Sequence, residues 1–276
     1  MSTRENHINS TVLQTQEKLL KQIISSDEHI TIFDIGACEG ENSIRYARFF
    51  SNATIYTFEP LPDNFKFIQE NISSYNTKNI KPHQVCLSDS IGETIFYVSS
   101  GKPENSSAED WDFGNKSSSL LAPEKTKEVH PWLKFEKEVK VQTTTLKQFC
   151  IDNKVNEIDF IHMDVQGAEL MVLKGAEDFI QSVNMIWLEV EAVELYKGQP
   201  LEKDIESFML QHNFIKIEDT VYTTAGDQFW TRKEYILQKK GNLFVLQRQL
   251  FSAIKKRYKK IRRKIFQNAP PVLTMR

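Results

Sequence analysis

Acidic side chains close several apolar runs of this chain, at the places where a ligand crevice would form. Asp34 lies in the run Thr31–Ile35, with Gly36 and Gly40 just beyond it. Gly36 lets the backbone turn sharply and pass close to a ligand. The helix that follows aims its first amides at the same crevice, which suits an anionic group. Ligands of open α/β sheets sit there, beyond the carboxyl ends of the strands. The spacing is Gly-x-x-x-Gly and not the dinucleotide pattern Gly-x-Gly-x-x-Gly, which favours a cofactor without a pyrophosphate. An ordinary glycine turn is the plainer alternative. Glu59 ends the second run, Thr54–Phe58, where a carboxylate can accept from both hydroxyls of a ribose. A solvated strand end is its alternative. Asp89 follows the third run in LSDSIG and could face a purine amino group, or simply form an Asx turn.

The fourth run, Ile158–Val165, carries the reactive types. Alternation puts Phe160, His162 and Asp164 on one face, with Asp164 at the carboxyl end. A hydroxyl is a poor nucleophile until a base takes its proton, and Asp164 or His162 could do so. His130, in an irregular stretch, is a third candidate. The alternatives are a helix cap for Asp164, a core histidine for His162 and a surface residue for His130. Glu189 and Glu191 end the fifth run on one face. With Asp164 they offer oxygen ligands to a hard cation, but no dense ligand cluster is present and no metal is expected.

Holding these groups in place requires alternating strands and helices. Strands are expected over Thr31–Ile35, Thr54–Phe58, Pro82–Leu87, Glu93–Val98, Val139–Thr145, Ile158–Val165, Met185–Glu191, Phe214–Glu218 and Asn242–Gln247. Helices are expected over Ser43–Phe50, Asp63–Ile72, Leu146–Asn153, Ala168–Gln181 and Ile205–Gln211. The alternation predicts an α/β fold with a doubly wound, mostly parallel, Rossmann-like sheet. Residues 1–29 read as an N-terminal helical segment, 30–247 as the main domain and 248–276 as a tail. Within the domain, residues 99–136 lack periodicity and read as a substrate lid. Ser117, Ser118, Ser119, Trp111 and Trp132 there could hydrogen-bond and stack on a sugar.

Cys38, Cys86 and Cys150 fit neither a disulfide framework nor a zinc site. The first twenty residues or so are polar, and no run is long and apolar enough for a membrane span. A cytoplasmic protein is expected. Charge is uneven. No acidic residue follows Glu234, and residues 235–276 carry +12, which leaves −14 on the rest of a chain whose net charge is −2. Leu250, Ile254, Tyr258, Ile261 and Ile265 recur at steps of three and four, with Lys and Arg between them. Such a basic amphipathic helix suits an anionic membrane surface, and a peripheral position at the inner membrane face is expected. Packing on the acidic body, a nucleic-acid contact and a partner protein are the alternatives.

Three blocks, FDIGACEGENS (33–43), YTFEPLPDNFKFIQENI (56–72) and IDFIHMDVQGAELMVLKGAEDFI (158–180), resemble the FkbM-type methyltransferases. LSDSIGE, VQTTTLKQF and IWLEVE follow in the expected order, so the resemblance spans about residues 30–191. It implies a seven-stranded Rossmann-like fold, S-adenosylmethionine as cofactor, and O-methylation of a sugar, glycan or polyketide-type acceptor. It assigns Asp34, Gly36 and Gly40 to the cofactor loop, Glu59 to the ribose and Asp89 to the adenine side. Asp164 matches the first acid of an Asp-x-Glu-Gly motif. This chain departs from the pattern at Gln166, where Glu is common, at His162, where Lys is usual, and at Lys147, where Asp often stands. The expected site is therefore catalytic Asp164 and His162, cofactor-binding Asp34, Gly36, Gly40, Glu59 and Asp89, and acceptor-facing Ser119, His130, Trp132 and Glu189. A nucleic-acid methyltransferase is a weaker alternative, because no Asp/Asn-Pro-Pro-aromatic block is present. Gln166 and Lys147 keep open a cofactor-binding module without transfer.

Overall fold

A computed structural model describes residues 3–106 and 113–267, apart from the side chains of residues 3, 256 and 259–267. Trp111 lies outside the described residues, as do the side chains of Ile261 and Ile265. The chain opens with α1 (Thr3–Asn9), α2 (Thr15–Ile23), β1 (Thr31–Ile35), α3 (Glu41–Phe49), β2 (Thr54–Phe58) and α4 (Pro62–Ser74). Next come β3 (Ile80–His83), β4 (Cys86–Ser88), β5 (Gly92–Ser100), α5 (Thr126–Val129), β6 (Lys134–Thr145) and α6 (Leu146–Asp152). The last part holds β7 (Ile158–Met163), α7 (Glu169–Gly175), β8 (Val183–Glu191), α8 (Glu202–Gln211), β9 (Phe214–Asp219), β10 (Ala225–Arg232) and α9 (Lys233–Gln267).

Seven strands form the main sheet in the order β3-β2-β1-β7-β8-β10-β9. All neighbours are parallel except β10, which runs antiparallel to both β8 and β9. The order reverses between β1 and β7. This is the switch point at which a doubly wound sheet opens a crevice. Both faces of the sheet are buried, so its strands read as nearly continuous apolar runs. Phe33, Ile35, Ile161 and Met163 point to one core, filled from α6, α7 and α8. Ile32, Phe160, Met185 and Trp187 point to the other, filled from α2, α3 and α9.

Three expectations of secondary structure need correction. The third run divides, because β3 stays in the main sheet while β4 joins a second sheet of order β4-β6-β5. Asn242–Gln247 is helical and belongs to α9. A six-residue apolar run fits either period, and here Val245 packs inward while Leu243 and Leu246 face out. The true final strand is β10, whose ladder to β8 runs from Ala225↔Glu191 to Thr231↔Met185. The stretch 99–136 is only partly irregular. Its backbone bridges Tyr97 to Ser119 and Pro123 to Tyr196, which ties it to the body.

Candidate functional site

Strand register builds the site. Asp34 pairs with His162, His162 with Trp187, and Trp187 with Phe229, across β1, β7, β8 and β10. One pleat further along, on the same face, come Gly36, Asp164, Glu189 and Asp227. Three carboxylates therefore stand in a row at the strand ends. They line a cleft of about 750 Å3 together with Asp34, Glu41 and His162.

Two backbone features hold this row. Gly36 has φ +79°, and a Cβ there would lie 1.9 Å from the carbonyl oxygen of Asp164. The cofactor loop and the loop after β7 thus touch backbone to backbone, which only glycine permits. Gln166 and Gly167 both adopt positive φ, 53° and 94°. For Gln166 this is a strained conformation of the kind that surrounding contacts must hold in place. Its side chain shows those contacts. Nε2 donates to Asp164 Oδ1 at 2.7 Å and to Glu189 Oε2 at 2.8 Å, while Oε1 accepts from the Tyr196 hydroxyl. A glutamate could not donate these bonds. The departure at Gln166 therefore places a neutral clamp between two carboxylates that would otherwise repel.

The row does not ionise as one. The charge of Asp164, and then burial, push the Glu189 carboxyl well above the usual carboxylate range. Burial raises Asp227 to about 6, although Trp187 and Thr220 hydrogen-bond it, and raises Glu191 to about 7. Neighbouring acids whose proton affinities are driven apart supply the acid and base roles of a site. Gln166→Glu removes two donors and adds a negative charge, so the acid limb of the pH–rate profile should move to higher pH. Initial rates across a pH series check this, with Gln166→Asn as the neutral control.

His162 is tied down. Its Nδ1 shares a hydrogen bond with the buried Tyr46 hydroxyl, and burial lowers its pKa to about 4. It stands neutral in the wall of the cleft.

A narrow apolar slot adjoins the cleft and shares Gly36, Cys38, Lys116, Asp164 and Gln166 with it. Glu59 stands at its edge, accepting from the Cys38 amide at 3.0 Å and the Leu61 amide at 2.9 Å. Phe58, Leu87, Phe96 and Leu120 supply apolar walls. These residues fit a nucleoside: flat apolar walls for a base, and a carboxyl group with spare lone pairs for vicinal hydroxyls. Further in, the Glu41 carboxylate lines the cleft, with Oε1 on Lys116 and Oε2 buried with no hydrogen-bond partner among the described residues. A buried acceptor so placed suits a cationic ammonium.

Burial pushes Asp34 up to about 7 and Glu59 up to about 8. Both hold a proton in the folded state where the unfolded chain has lost it. Their contribution is complete below the unfolded carboxylate pKa, about 4, and is lost as pH rises through the folded values. Urea midpoints should fall between about pH 5 and pH 8, and Glu59→Gln should flatten that fall.

The structure brings Asp34, Gly36, Glu59, His162, Asp164 and Glu189 to these two cavities. Gly40 caps α3 at φ +78°, one turn behind the loop. The other expected residues lie elsewhere. Asp89 is exposed in the turn after β4 and lines neither cavity. Ser119 is fully buried, and its hydroxyl donates to the Gln166 carbonyl at 2.8 Å. His130 and Trp132 pack against each other at 5.7 Å and are not among the lining residues. Lys147 pairs with Glu177 and Asp178, away from the cleft.

Sequence reasoning missed Asp227, Glu41, Lys116 and the N-terminal residues. His7, Gln14, Thr15 and Gln16 line the cleft. Arg45 of α3 straps them there. It is 1% exposed, pairs at both ends with the buried Glu17 at 2.6 and 2.7 Å, and donates to the carbonyls of His7, Ser10 and Val12. A charged arginine inside an amphipathic helix was the available signal.

The strand order and the crevice at its switch point define a class I methyltransferase fold. The methyltransferase FkbM domain matches residues 34–216, more than half of the chain, and the protein belongs to that family. It is a methyltransferase, and S-adenosylmethionine is its methyl donor. The chain is 30% identical over 184 residues to the 2-O-methyltransferase NoeI of Sinorhizobium fredii, covering 66% of this chain and 72% of that protein. It is 24% identical over 181 residues to the hexuronic acid methyltransferase AglP of Haloferax volcanii, covering 65% of this chain and 64% of that protein. A SAM-dependent methyltransferase from Aquifex aeolicus superposes with TM-score 0.41 and 12% identity, over 84% of this chain and 94% of that one. The fold assignment rests on the strand order above.

Proposed function

We propose that the protein O-methylates a hydroxyl of a sugar or glycan precursor, with Asp164 as the general base. The observation that carries this reading is the carboxylate row at the base of the open polar cleft, clamped by Gln166 and adjoining the nucleoside-like slot. When bound, the cofactor supplies an electrophilic methyl group on a sulfonium. Glu59 holds the ribose hydroxyls, the slot walls hold the adenine, and Glu41 with Asp34 faces the amino-acid end. Asp164 takes the acceptor's hydroxyl proton, while Glu189, protonated beside it, keeps a second negative charge out of the site. Asp227 and the amides of Gln14 and Gln16 give the acceptor further hydrogen-bond partners. Aligning the acceptor in this way supplies several kcal/mol, on the order of what positioning is worth in group transfer.

The relatives that methylate a 2-O position and a hexuronic acid support a sugar acceptor. The cleft's own charge argues against nucleic acid. Its lining holds five acidic side chains and a single lysine, itself paired with Glu41, so it offers no cationic track to a polyphosphate chain. Purified protein incubated with S-adenosylmethionine and a panel of hexoses, deoxyhexoses and hexuronic acids should release S-adenosylhomocysteine with at least one sugar class. Release with RNA and with no sugar would overturn the proposal.

A further inference from the structure

The long C-terminal helix is patterned the wrong way round for a helix that only packs on its own domain. A surface helix normally buries its apolar stripe and exposes its polar face. Beyond Gly241, whose φ of 77° and ψ of 171° break the helical path, α9 packs Phe244 and Val245 on the core but turns a second, longer apolar stripe outward. Val245 and Ser252, two turns apart, are the buried positions, and the Ser252 hydroxyl accepts from the Asp219 amide at 3.1 Å. On that side Arg248 and Lys255 reach inward to the two oxygens of Glu218, which is fully buried, at 2.7 and 3.1 Å. Leu243, Leu246, Leu250, Ile254 and Tyr258 fall on the opposite side. They are between 56% and 69% exposed. At 100° per residue they form one continuous stripe pointing away from the body.

We infer that this outward stripe of α9 seats the enzyme on an anionic lipid surface. Charge decides among possible occupants. The sequence after Glu234 has twelve Lys and Arg residues and no acid. Glu218 offsets only one of the two inward charges and Lys239 pairs with Glu28, so the segment, which has no acid of its own, keeps a strong positive excess. Pairing two copies along the stripe would bring two such cationic segments together, which costs free energy. An anionic headgroup layer meets them with the opposite sign, and the apolar stripe enters the acyl boundary between them. Phe251, 50% exposed beside the Arg248 and Lys255 side chains, stands at the edge of the stripe, where an aromatic ring suits the interface. Among the described residues no helix is long and apolar enough to cross a membrane, so the helix lies along the surface. This placement does not depend on the identity of the acceptor.

The test is co-sedimentation of the full chain with vesicles of phosphatidylcholine alone or with added phosphatidylserine. Binding is expected only with phosphatidylserine and should weaken as salt rises. Leu250→Glu and Ile254→Glu change exposed side chains and leave the fold intact by circular dichroism. Each should weaken vesicle binding about tenfold or more, the effect of losing one buried leucine-sized group. S-adenosylhomocysteine affinity, read by calorimetry, should stay the same. Equal binding of wild type and both variants would overturn the inference. So would a wild-type dimer in light scattering that Leu250→Glu dissociates while vesicle binding is absent, since the stripe would then belong to a second copy.

Discussion

Asp164→Asn should lower kcat by about 10²- to 10⁴-fold, the usual worth of a positioned base. The affinity for S-adenosylhomocysteine should be unchanged. Asparagine keeps the size of the side chain and can still meet the Gln166 amide through its carbonyl oxygen, so the loop after β7 has no reason to move. What disappears is the acceptor for the hydroxyl proton. Glu189 does not take over at the same pH, because burial still holds its carboxyl above the usual carboxylate range once the charge of Asp164 is gone. Removing that charge lowers Glu189 toward ionisation, so residual activity should rise at a different pH from wild type. A pH–rate series on the variant, beside a calorimetric titration, separates loss of the base from collapse of the site.

Arg45→Met has the largest expected effect on stability. It leaves the Glu17 carboxylate buried without its partner, at a cost of about 3–5 kcal/mol. It also frees the carbonyls of His7, Ser10 and Val12, so the strap across the cleft loosens. Urea denaturation should show the loss of stability. Arg45→Met with Glu17→Leu should recover much of it, because a buried ion pair is often replaceable by apolar groups of like size. If the strap also shapes the acceptor site, the double variant should show a raised acceptor KM with unchanged cofactor affinity.

The parts legible in the sequence were those set by short-range pattern. Short apolar runs located β1, β2 and β7, and with them Asp34, Glu59 and Asp164 near strand ends. Alternation put His162 on the cleft face, but not its bond to Tyr46, which is 116 residues away along the chain. Asp227 escaped because AGDQFWTR starts with turn formers and its strand role comes from the antiparallel ladder to β8. The strap escaped because its place over the cleft depends on one buried arginine in another helix. Ser119 reads as a free hydroxyl in a serine-rich stretch, and only the folded chain brings the Gln166 carbonyl to it. Gln166 was visible as a departure from the family, but its two bonds needed β8 beside β7. The outward apolar face of α9 was half visible. Its stripe and its cations stood in the sequence, while the side it turns to the body did not.

The most direct test of the central claim is mass spectrometry of glycans from cells that lack the gene and from the same cells carrying either the wild-type chain or Asp164→Asn. The account predicts a sugar heavier by one methylene unit with the wild-type chain and its absence with the variant, at equal protein levels. Glycans identical in all three backgrounds, or full methylation by Asp164→Asn, would contradict it.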